Sequence, residues 1–353
     1  MLYICYFNNL IKLYWLVKTA KFIIQALFTL FFLLTNCSEK RKKPDISKIN
    51  IHLKFLRFEQ DLFKADFEKI EDSVPHYYKR YGEFFDIFNF KIIHIGDFKN
   101  PAYPDLLRSF ITDYSMNKVY KETNKEFEDF SPIQLKINEA FRYYKYYFPK
   151  MPVPIVITYI SGFNQSVVTS DTILGIGIDK YLGSKNEFYS QLGLTNFMRY
   201  NMHKNKIPTD CARAWAMTQF PMSDSMANLL SNIIYQGKLA FFTKALLPDG
   251  PDTLVIGMSN IHLEWCKKYE DKMWAYLVEN KLLFKTDYLL ISKFINDGPF
   301  TKEFGKSSPG KAVVWVGWQI VNRYMERQAN VDLQELMTDN DYQKILRLSK
   351  YKP

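Results

Sequence analysis

The abrupt change of character at Cys37 most constrains the fold, because it separates an apolar leader from the part of the chain that can form a globular domain. Residues 22–34 are mostly apolar, whereas residues 38–43 are polar and mainly basic. The charged residues upstream are Lys12, Lys18 and Lys21. A cationic start, a short apolar core and a cleavage site are the parts of an export signal. The Leu-Thr-Asn-Cys sequence at 34–37 is typical of a lipobox, so we predict a lipoprotein signal peptide over residues 1–36 and lipidation of Cys37.

An uncleaved transmembrane helix is the alternative interpretation of this segment. Residues 22–34 are too short to cross about 30 Å of hydrocarbon, which takes about 20 apolar residues. A longer span that began at Leu10 would place all three lysines in the membrane, at about 2.5–3.5 kcal/mol each. Asn36 departs from the small residue that usually precedes the cysteine. We favour a lipoprotein with diacylglyceryl and N-acyl chains on Cys37, since two or more chains give stable anchoring.

The predicted mature chain is moderately basic. Removal of residues 1–37 takes away three of the 47 basic residues and none of the 37 acidic ones. Part of the excess lies in residues 40–43, inside a predicted basic tether of residues 37–48. Lysine and arginine next to a membrane are attracted to anionic headgroups by about 1 kcal/mol per charge. Nucleic acid is not an expected partner, because the chain is exported and carries no recognisable motif for reading nucleic acid.

The cysteine content leaves the redox state of the domain open. Cys211 and Cys266 are the cysteines that remain after residue 37. An exported compartment permits a disulfide bond between them. The alternative is two separate buried thiols that behave as small apolar groups.

A single α+β domain is predicted for residues 49–353. This stretch lacks an internal repeat, a low-complexity segment and a long Gly/Ser linker. Alternation of apolar and polar residues predicts a strand over residues 49–58, and residues 155–160 and 172–178 are predicted to pair as a hairpin. The rest of the chain is largely helical in pattern. The expected fold is therefore a small, mostly antiparallel sheet beside a large helical body.

Helical patterns occur on both sides of the predicted hairpin. Ser131 and Pro132 are typical of a helix start, and that helix is predicted to end near Phe148, before Pro149. The other predicted helices cover residues 59–69, 77–88, 186–191, 194–203, 209–219, 225–246, 260–280, 310–327 and 333–336. Gly237 lies inside one of them. Glycine in a helix costs about 1 kcal/mol relative to alanine, so we expect another backbone to approach closely there.

Zinc peptidases of the gluzincin type also place a sheet before a helical lobe, so their metal site is the relevant comparison. Their His-Glu-x-x-His helix places two imidazoles on one face, with a glutamate that activates water. The helix in the corresponding position, residues 207–220, contains neither histidine nor glutamate. In the next helix, Gln236 stands where these peptidases have a glutamate ligand. The sequence therefore predicts a zincin-like fold without a zinc site, and no cofactor or catalytic residue.

Two other sets of residues are weaker candidates for a site. His262, Cys266 and Glu270 share one face of a predicted helix. The first and the last would lie about 12 Å apart along the axis, which is too far for both to bind one zinc ion. Asp171 and Asp179 flank a predicted strand, and their spacing alone leaves a paired-carboxylate hydrolase open.

Ten short segments along the chain form a pattern that is more specific than any single motif. They are residues 57–63 (RFEQDLF), 140–149 (AFRYYKYYFP), 158–164 (TYISGFN), 177–183 (GIDKYLG), 235–238 (YQGK), 273–274 (MW), 297–301 (DGPFT), 308–310 (SPG), 317–318 (GW) and 349–353 (SKYKP). In this order they resemble the GldB-type gliding-motility lipoproteins of the Bacteroidota. Cys37 falls at the position of that family's lipidated cysteine.

The resemblance implies a component needed for gliding movement and, in that setting, for the type IX secretion machinery on which surface adhesins depend. No catalytic residue is established for the family, so none is carried over to this sequence. Together with the missing zinc ligands, this leads us to expect a protein that is not an enzyme. The resemblance also implies partners in the gliding and secretion apparatus, and we expect no small-molecule substrate. The lack of an acidic run after Cys37 argues against surface display, so we favour a periplasm-facing location at the outer or inner membrane. A hydrolase with an unfamiliar site and a module that binds cell-wall glycans remain alternatives.

Overall fold

A computed structural model of the chain describes Lys21, residues 43–223 and residues 227–353. Cys37 lies outside the described residues, as do the rest of the predicted tether up to residue 42 and nearly all of the predicted signal peptide. Within the described residues, no helix is both long enough and apolar enough to cross a membrane. Pro44–Pro353 form one compact unit of the predicted α+β class.

The sheet in the described residues has four strands in the order β1-β2-β4-β3. They are β1 (Phe55–Arg57), β2 (Ile155–Tyr159), β3 (Val167–Thr169) and β4 (Ile173–Gly177). Strands β1 and β4 run parallel to β2, whereas β3 is antiparallel to β4. Two of the three pairings are thus parallel, and the predicted mostly antiparallel sheet is wrong.

The short strand β3 explains why the predicted hairpin is also wrong. The two predicted strands are neighbours, but they are parallel, with Val156 opposite Leu174. Between them the chain turns back as β3 and pairs with the other edge of β4, where Val168 lies opposite Gly175. The hairpin is therefore formed by β3 and β4. Three half-buried residues are too few for their periodicity to predict a strand.

Seventeen helices surround the sheet in the described part of the chain. Before β2 they are α1 (Phe58–Phe63), α2 (Ile70–Tyr81), α3 (Glu83–Ile87), α4 (Tyr103–Thr112), α5 (Tyr114–Glu126) and α6 (Ser131–Tyr147). After β4 they are α7 (Glu187–Gln191), α8 (Asn196–Arg199), α9 (Ile207–Gln219), α10 (Leu229–Leu246), α11 (Asp252–Ile256), α12 (Asn260–Lys268), α13 (Glu270–Glu279), α14 (Tyr288–Ile295), α15 (Val313–Arg327), α16 (Leu333–Thr338) and α17 (Tyr342–Ser349).

The long helices match their predictions better than the short ones. Helix α6 begins at Ser131 as predicted, and α9 and α10 lie where helices were expected. The predicted helix of residues 260–280 is instead two helices that are separated at Tyr269. Helices α14 and α17 were not predicted, although Asp287 and Asp341 cap their first turns by accepting backbone N–H bonds.

The first predicted strand is shorter than its alternating pattern indicates, because side chains of α6 hold the preceding backbone. Asn138 Oδ1 accepts the N–H of Leu53 at 3.0 Å. Arg142 donates to the carbonyl oxygens of Ile46 and Ile49 at 2.6 and 2.9 Å. These bonds satisfy backbone groups that a strand would have paired with a neighbour.

Apolar side chains cover both faces of the sheet. On one face, Ile157 and Tyr159 of β2 pack into an aromatic cluster around Phe58. On the other face, Val156 and Leu174 belong to the larger core that includes α6, α9 and α10. The sheet is therefore a middle layer between a small aromatic layer and the helical body that contains the candidate site.

Candidate functional site

The helical body contains a polar cavity of about 430 Å³ beside α9 and α10. Its charged walls come from Lys206, Asp210, Arg213, Asp297 and Lys311. The other lining residues are Asn201, Gln236, Ala240, Val255, Ile256, Ile295, Asn296 and Val314. The two helices that we compared with the zinc-binding helices of peptidases therefore face one cavity.

One side of α9 supplies three of the five charges. Lys206 immediately precedes the helix, and Asp210 and Arg213 follow it by four and seven residues, so the three side chains share one stripe. Cys211 and Ala212, which lie between Asp210 and Arg213, are buried in the core. From the sequence we compared this helix with a zinc-binding helix but did not identify Lys206, Asp210 and Arg213 as site residues. Their spacing along a largely apolar helix was a signal that could have identified them.

Lys206 is satisfied by protein groups. Its ammonium nitrogen lies 2.9 Å from Asp210 Oδ1, 2.8 Å from the carbonyl oxygen of Leu254 and 3.2 Å from Thr209 Oγ1. An ammonium group has three N–H donors, so these three acceptors match it. Asp210 in turn accepts a hydrogen bond of 2.9 Å from the Tyr181 hydroxyl. Lys206 and Asp210 therefore form a closed ion pair in the cavity wall.

Arg213 keeps free donors that face the cavity. Its Nη2 donates to Gln236 Oε1, which joins α9 to α10. A guanidinium has five N–H donors, and among the described residues Arg213 makes no other hydrogen bond and no ion pair. Burial lowers the pKa of the guanidinium, and the carboxylates of Asp210 and Asp297 oppose this shift. Because an arginine stays protonated in proteins, Arg213 presents a positive charge to the cavity.

Lys311 is the third cation of the cavity. Its Nζ lies 2.7 Å from Asp297 Oδ1, and the lysine side chain is 18% exposed whereas the aspartate is 67% exposed. Burial lowers the pKa of Lys311, Asp297 opposes that shift, and the positive charges of Arg213 and Lys206 lower it further. Three like charges thus share one partly enclosed space.

The loop between α14 and α15 brings the side chains of Asp297 and Lys311 together. Thr301 Oγ1 donates to the carbonyl oxygen of Pro309 at 2.8 Å. Ser308 Oγ donates to the carbonyl oxygen of Thr301 at 3.0 Å. These buried bonds hold segments 297–301 and 308–310 against each other. They bring Asp297, the first residue of one segment, close to Lys311, which directly follows the other.

The residues of the cavity do not fit a catalytic zinc ion. Zinc in proteins is bound by cysteine, histidine, aspartate and glutamate. The two carboxylates of the cavity, Asp210 and Asp297, are each paired with a lysine, and Arg213 adds a further positive charge. In residues 43–223 and 227–353, no group of three or more such side chains is placed to hold a metal ion. The charge of the cavity suits an anion rather than a cation.

The set of His262, Cys266 and Glu270 does not share one helix face. The first two lie on α12 and the third begins α13, so the predicted spacing along one axis is wrong. Glu270 instead accepts a hydrogen bond of 2.7 Å from the indole nitrogen of Trp315. Cys211 and Cys266 are both buried free thiols.

Asp171 and Asp179 lie on either side of β4 and do not form a carboxylate pair. Asp171 is exposed before the strand, and Asp179 is buried after it. The Asp179 carboxylate accepts backbone N–H bonds from Ser161 at 3.1 Å and from Phe163 at 2.7 Å. Burial raises the pKa of Asp179 to about 6. The Asp179 carboxylate therefore holds the loop that contains Ser161 and Phe163. Asp171 and Asp179 do not form the paired-carboxylate site of a hydrolase that their spacing in the sequence had left open.

Comparison with known proteins gives one match. No curated protein and no solved structure matches the chain at the similarity that we required. The family model described as gliding motility protein GldB matches residues 39–353, which is nearly everything that follows Cys37. The resemblance predicted from the ten segments is thereby confirmed, and the chain belongs to the gliding motility protein GldB family.

Proposed function

We propose that this protein is a lipid-anchored, non-catalytic component of the gliding apparatus that acts through protein contacts, in association with type IX secretion. Membership of the GldB family implies involvement in gliding motility. The family match over residues 39–353 is the observation that carries this function, since it includes the whole compact unit of Pro44–Pro353.

A lipid on Cys37 is the proposed means of attachment. The name of the matched family model suggests a lipoprotein, and its match begins two residues after Cys37. The basic residues at 40–43 would lie next to the lipid headgroups, where their charges add to the attachment. We propose a periplasm-facing position at the outer or inner membrane, because no acidic run of the kind typical of surface-displayed lipoproteins follows the cysteine.

The chemistry of the cavity supports a role without catalysis. A metallopeptidase needs a metal and a carboxylate that activates water. Here Gln236 is bonded to Arg213, and Asp210 is neutralised by Lys206. These contacts leave no carboxylate in the cavity wall at α9 or α10 that is free to act as a base.

Several of the segments that resemble the GldB family connect strands of the sheet. This supports a structural role for the matched residues rather than a catalytic one. Glu59, which is 2% exposed, accepts hydrogen bonds from Arg57 and, at 2.7 Å, from Thr158 of β2. Asp179 binds the loop that follows β2 through Ser161. The matched residues therefore connect β1, β2 and the end of β4.

The test is single-cell gliding on glass in a strain that lacks this gene. We expect deletion to stop movement and wild type to restore it. A Cys37→Ala variant should fail to restore movement and should leave the membrane fraction, since the thioether cannot form. Ser38→Ala is the matched control next to the lipidation site, and it should restore movement.

Two results would contradict this function. Normal gliding of the deletion strain would remove the role in motility. Normal gliding with a Cys37→Ala protein that is exported and soluble would leave the role in place but remove the need for the anchor.

A further inference from the structure

We propose that the cavity beside α9 and α10 binds a ligand through a carboxylate group that is held by Arg213 and Lys311. This binding site is independent of the role in gliding, since it rests on the donors and charges of the cavity alone. The ligand is bound and not converted, so the site is compatible with a protein that has no substrate.

The free donors identify the residues that meet the ligand. Lys206 has an acceptor for each of its three N–H groups, so it has none to offer. Arg213 uses one of five donors on Gln236. Lys311 has Asp297 as its partner among the described residues, which leaves two of its three donors. The unused donors of the cavity's cations therefore belong to Arg213 and Lys311.

The charge of the cavity indicates a single negative charge on the ligand. Three cations and two carboxylates line it, which leaves one positive charge in excess. A carboxylate carries one negative charge and matches the planar fork of an arginine with two parallel hydrogen bonds. A phosphate monoester carries a charge of about −1.5 to −2 at pH 7, which is more than the single excess positive charge of the cavity can neutralise. A carboxylate is thus the better fit.

Apolar side chains form part of the cavity wall beside the amide groups of Asn201, Gln236 and Asn296, so the proposed carboxylate would be attached to a body with an apolar part. Ala240, Val255, Ile256, Ile295 and Val314 contribute to the walls. The volume of about 430 Å³ lies in the range of about 300–1,000 Å³ that is usual for ligand sites. A small organic acid fits this description, and so does the C-terminal residue of a peptide.

The first experiment is isothermal titration calorimetry on the mature lipidated protein, residues 37–353, in detergent. N-acetylleucine supplies a carboxylate on an apolar body, and N-acetylleucinamide is its neutral match. We expect the acid to bind and the amide to give no heat, because only the acid can pair with Arg213 and Lys311. An acetylated tripeptide that ends in leucine distinguishes a peptide C-terminus from a small organic acid as the ligand. Tighter binding of the tripeptide than of N-acetylleucine indicates a peptide C-terminus. Equal binding of the two indicates a small organic acid.

Variants then assign the binding to the cavity. Arg213→Gln should weaken binding of the acid about tenfold or more, since it removes a charge-assisted contact. Arg213→Lys should also weaken it, because it keeps the charge but loses the planar fork. The exposed Arg347→Gln is the matched control and should leave binding unchanged. Lys311→Met provides a second route if the Arg213 variants do not fold.

Three results would overturn the carboxylate site. One is no heat with either carboxylate probe. Another is equal binding of the acid and the amide. The last is that inorganic phosphate binds but no carboxylate probe does, and that this phosphate binding is lost in Arg213→Gln.

Discussion

Gly237 on α10 and Gly317 on α15 lie backbone to backbone where the two helices cross. A Cβ atom on Gly237 would overlap the carbonyl oxygen of Gly317, and one on Gly317 would overlap the carbonyl oxygen of Ile233. Each glycine weakens its helix by about 1 kcal/mol relative to alanine. The close approach that we predicted for Gly237 is confirmed, and it places α10, which carries Gln236, firmly against α15.

We expect Gly237→Ala to destabilise the protein by roughly 1–3 kcal/mol, because the added methyl group overpacks the crossing by more than the gain in helix propensity. Gly317→Ala should have a similar effect for the same reason. Urea denaturation of the purified protein measures both changes.

Gly298→Ala is the control for these two substitutions. A Cβ atom there would meet its nearest neighbour, the carbonyl oxygen of Phe300, at an ordinary 3.6 Å. The free energy of unfolding should change by no more than about 0.5 kcal/mol. Equal stability of Gly237→Ala and Gly298→Ala would show that the two helices separate at little cost.

Asp179 should make the stability of the wild-type protein fall as the pH rises from about 4 to about 6. Its pKa is about 6 in the folded protein against an ordinary value of 3.8, because of burial. Between these values the folded state binds more protons than the unfolded state, so stability decreases with rising pH. Asp179→Asn keeps an acceptor for the N–H groups of Ser161 and Phe163 but cannot ionise. From pH 4 to pH 7 the wild type should lose up to about 3 kcal/mol relative to this variant.

The exposed Asp171 supplies a matched control on the other side of β4. Asp171→Asn should leave the pH dependence of unfolding unchanged. If wild type and Asp179→Asn have parallel stability profiles between pH 4 and pH 7, the carboxylate is not desolvated as its burial indicates.

Much of the helical body could be predicted from local signals, but the contacts that form the cavity could not. Ser131 and Pro132 begin α6 where expected, because a helix start depends on neighbouring residues. The pair of Asp297 and Lys311 depends on two turns that meet only in the folded chain. The sheet order escaped prediction for a similar reason, since β3 is too short to show its pattern.

Lys238 should make the stability of the wild type rise with pH above about 8. It is 1% exposed, and burial lowers its pKa from 10.5 to about 8. Between these values the unfolded state binds more protons, so stability increases as the pH rises. Lys238→Met keeps most of the side-chain volume but loses the bond of 2.9 Å to the carbonyl oxygen of Asp339. Denaturation at pH 7 and pH 10 should show that the wild type gains stability relative to this variant.

The exposed Lys79→Met is the matched control for this titration, since it removes a lysine without touching the core. Its stability profile should run parallel to that of the wild type from pH 7 to pH 10. A Lys238→Met profile that also runs parallel would show that the ammonium group is hydrated in the folded protein.

Gln236→Glu places a carboxylate where the sequence analysis expected the glutamate ligand of a zinc peptidase, and we expect it to bind Arg213 rather than zinc. Gln236 Oε1 already accepts a hydrogen bond from Arg213, so a glutamate there would form an ion pair in the same geometry. That pair would neutralise the excess charge of the cavity, and N-acetylleucine should then bind about tenfold or more weakly. Mass spectrometry for metals should find no stoichiometric zinc in the wild type or in the variant. Stoichiometric zinc in the wild type would contradict this expectation and would favour the hydrolase alternative.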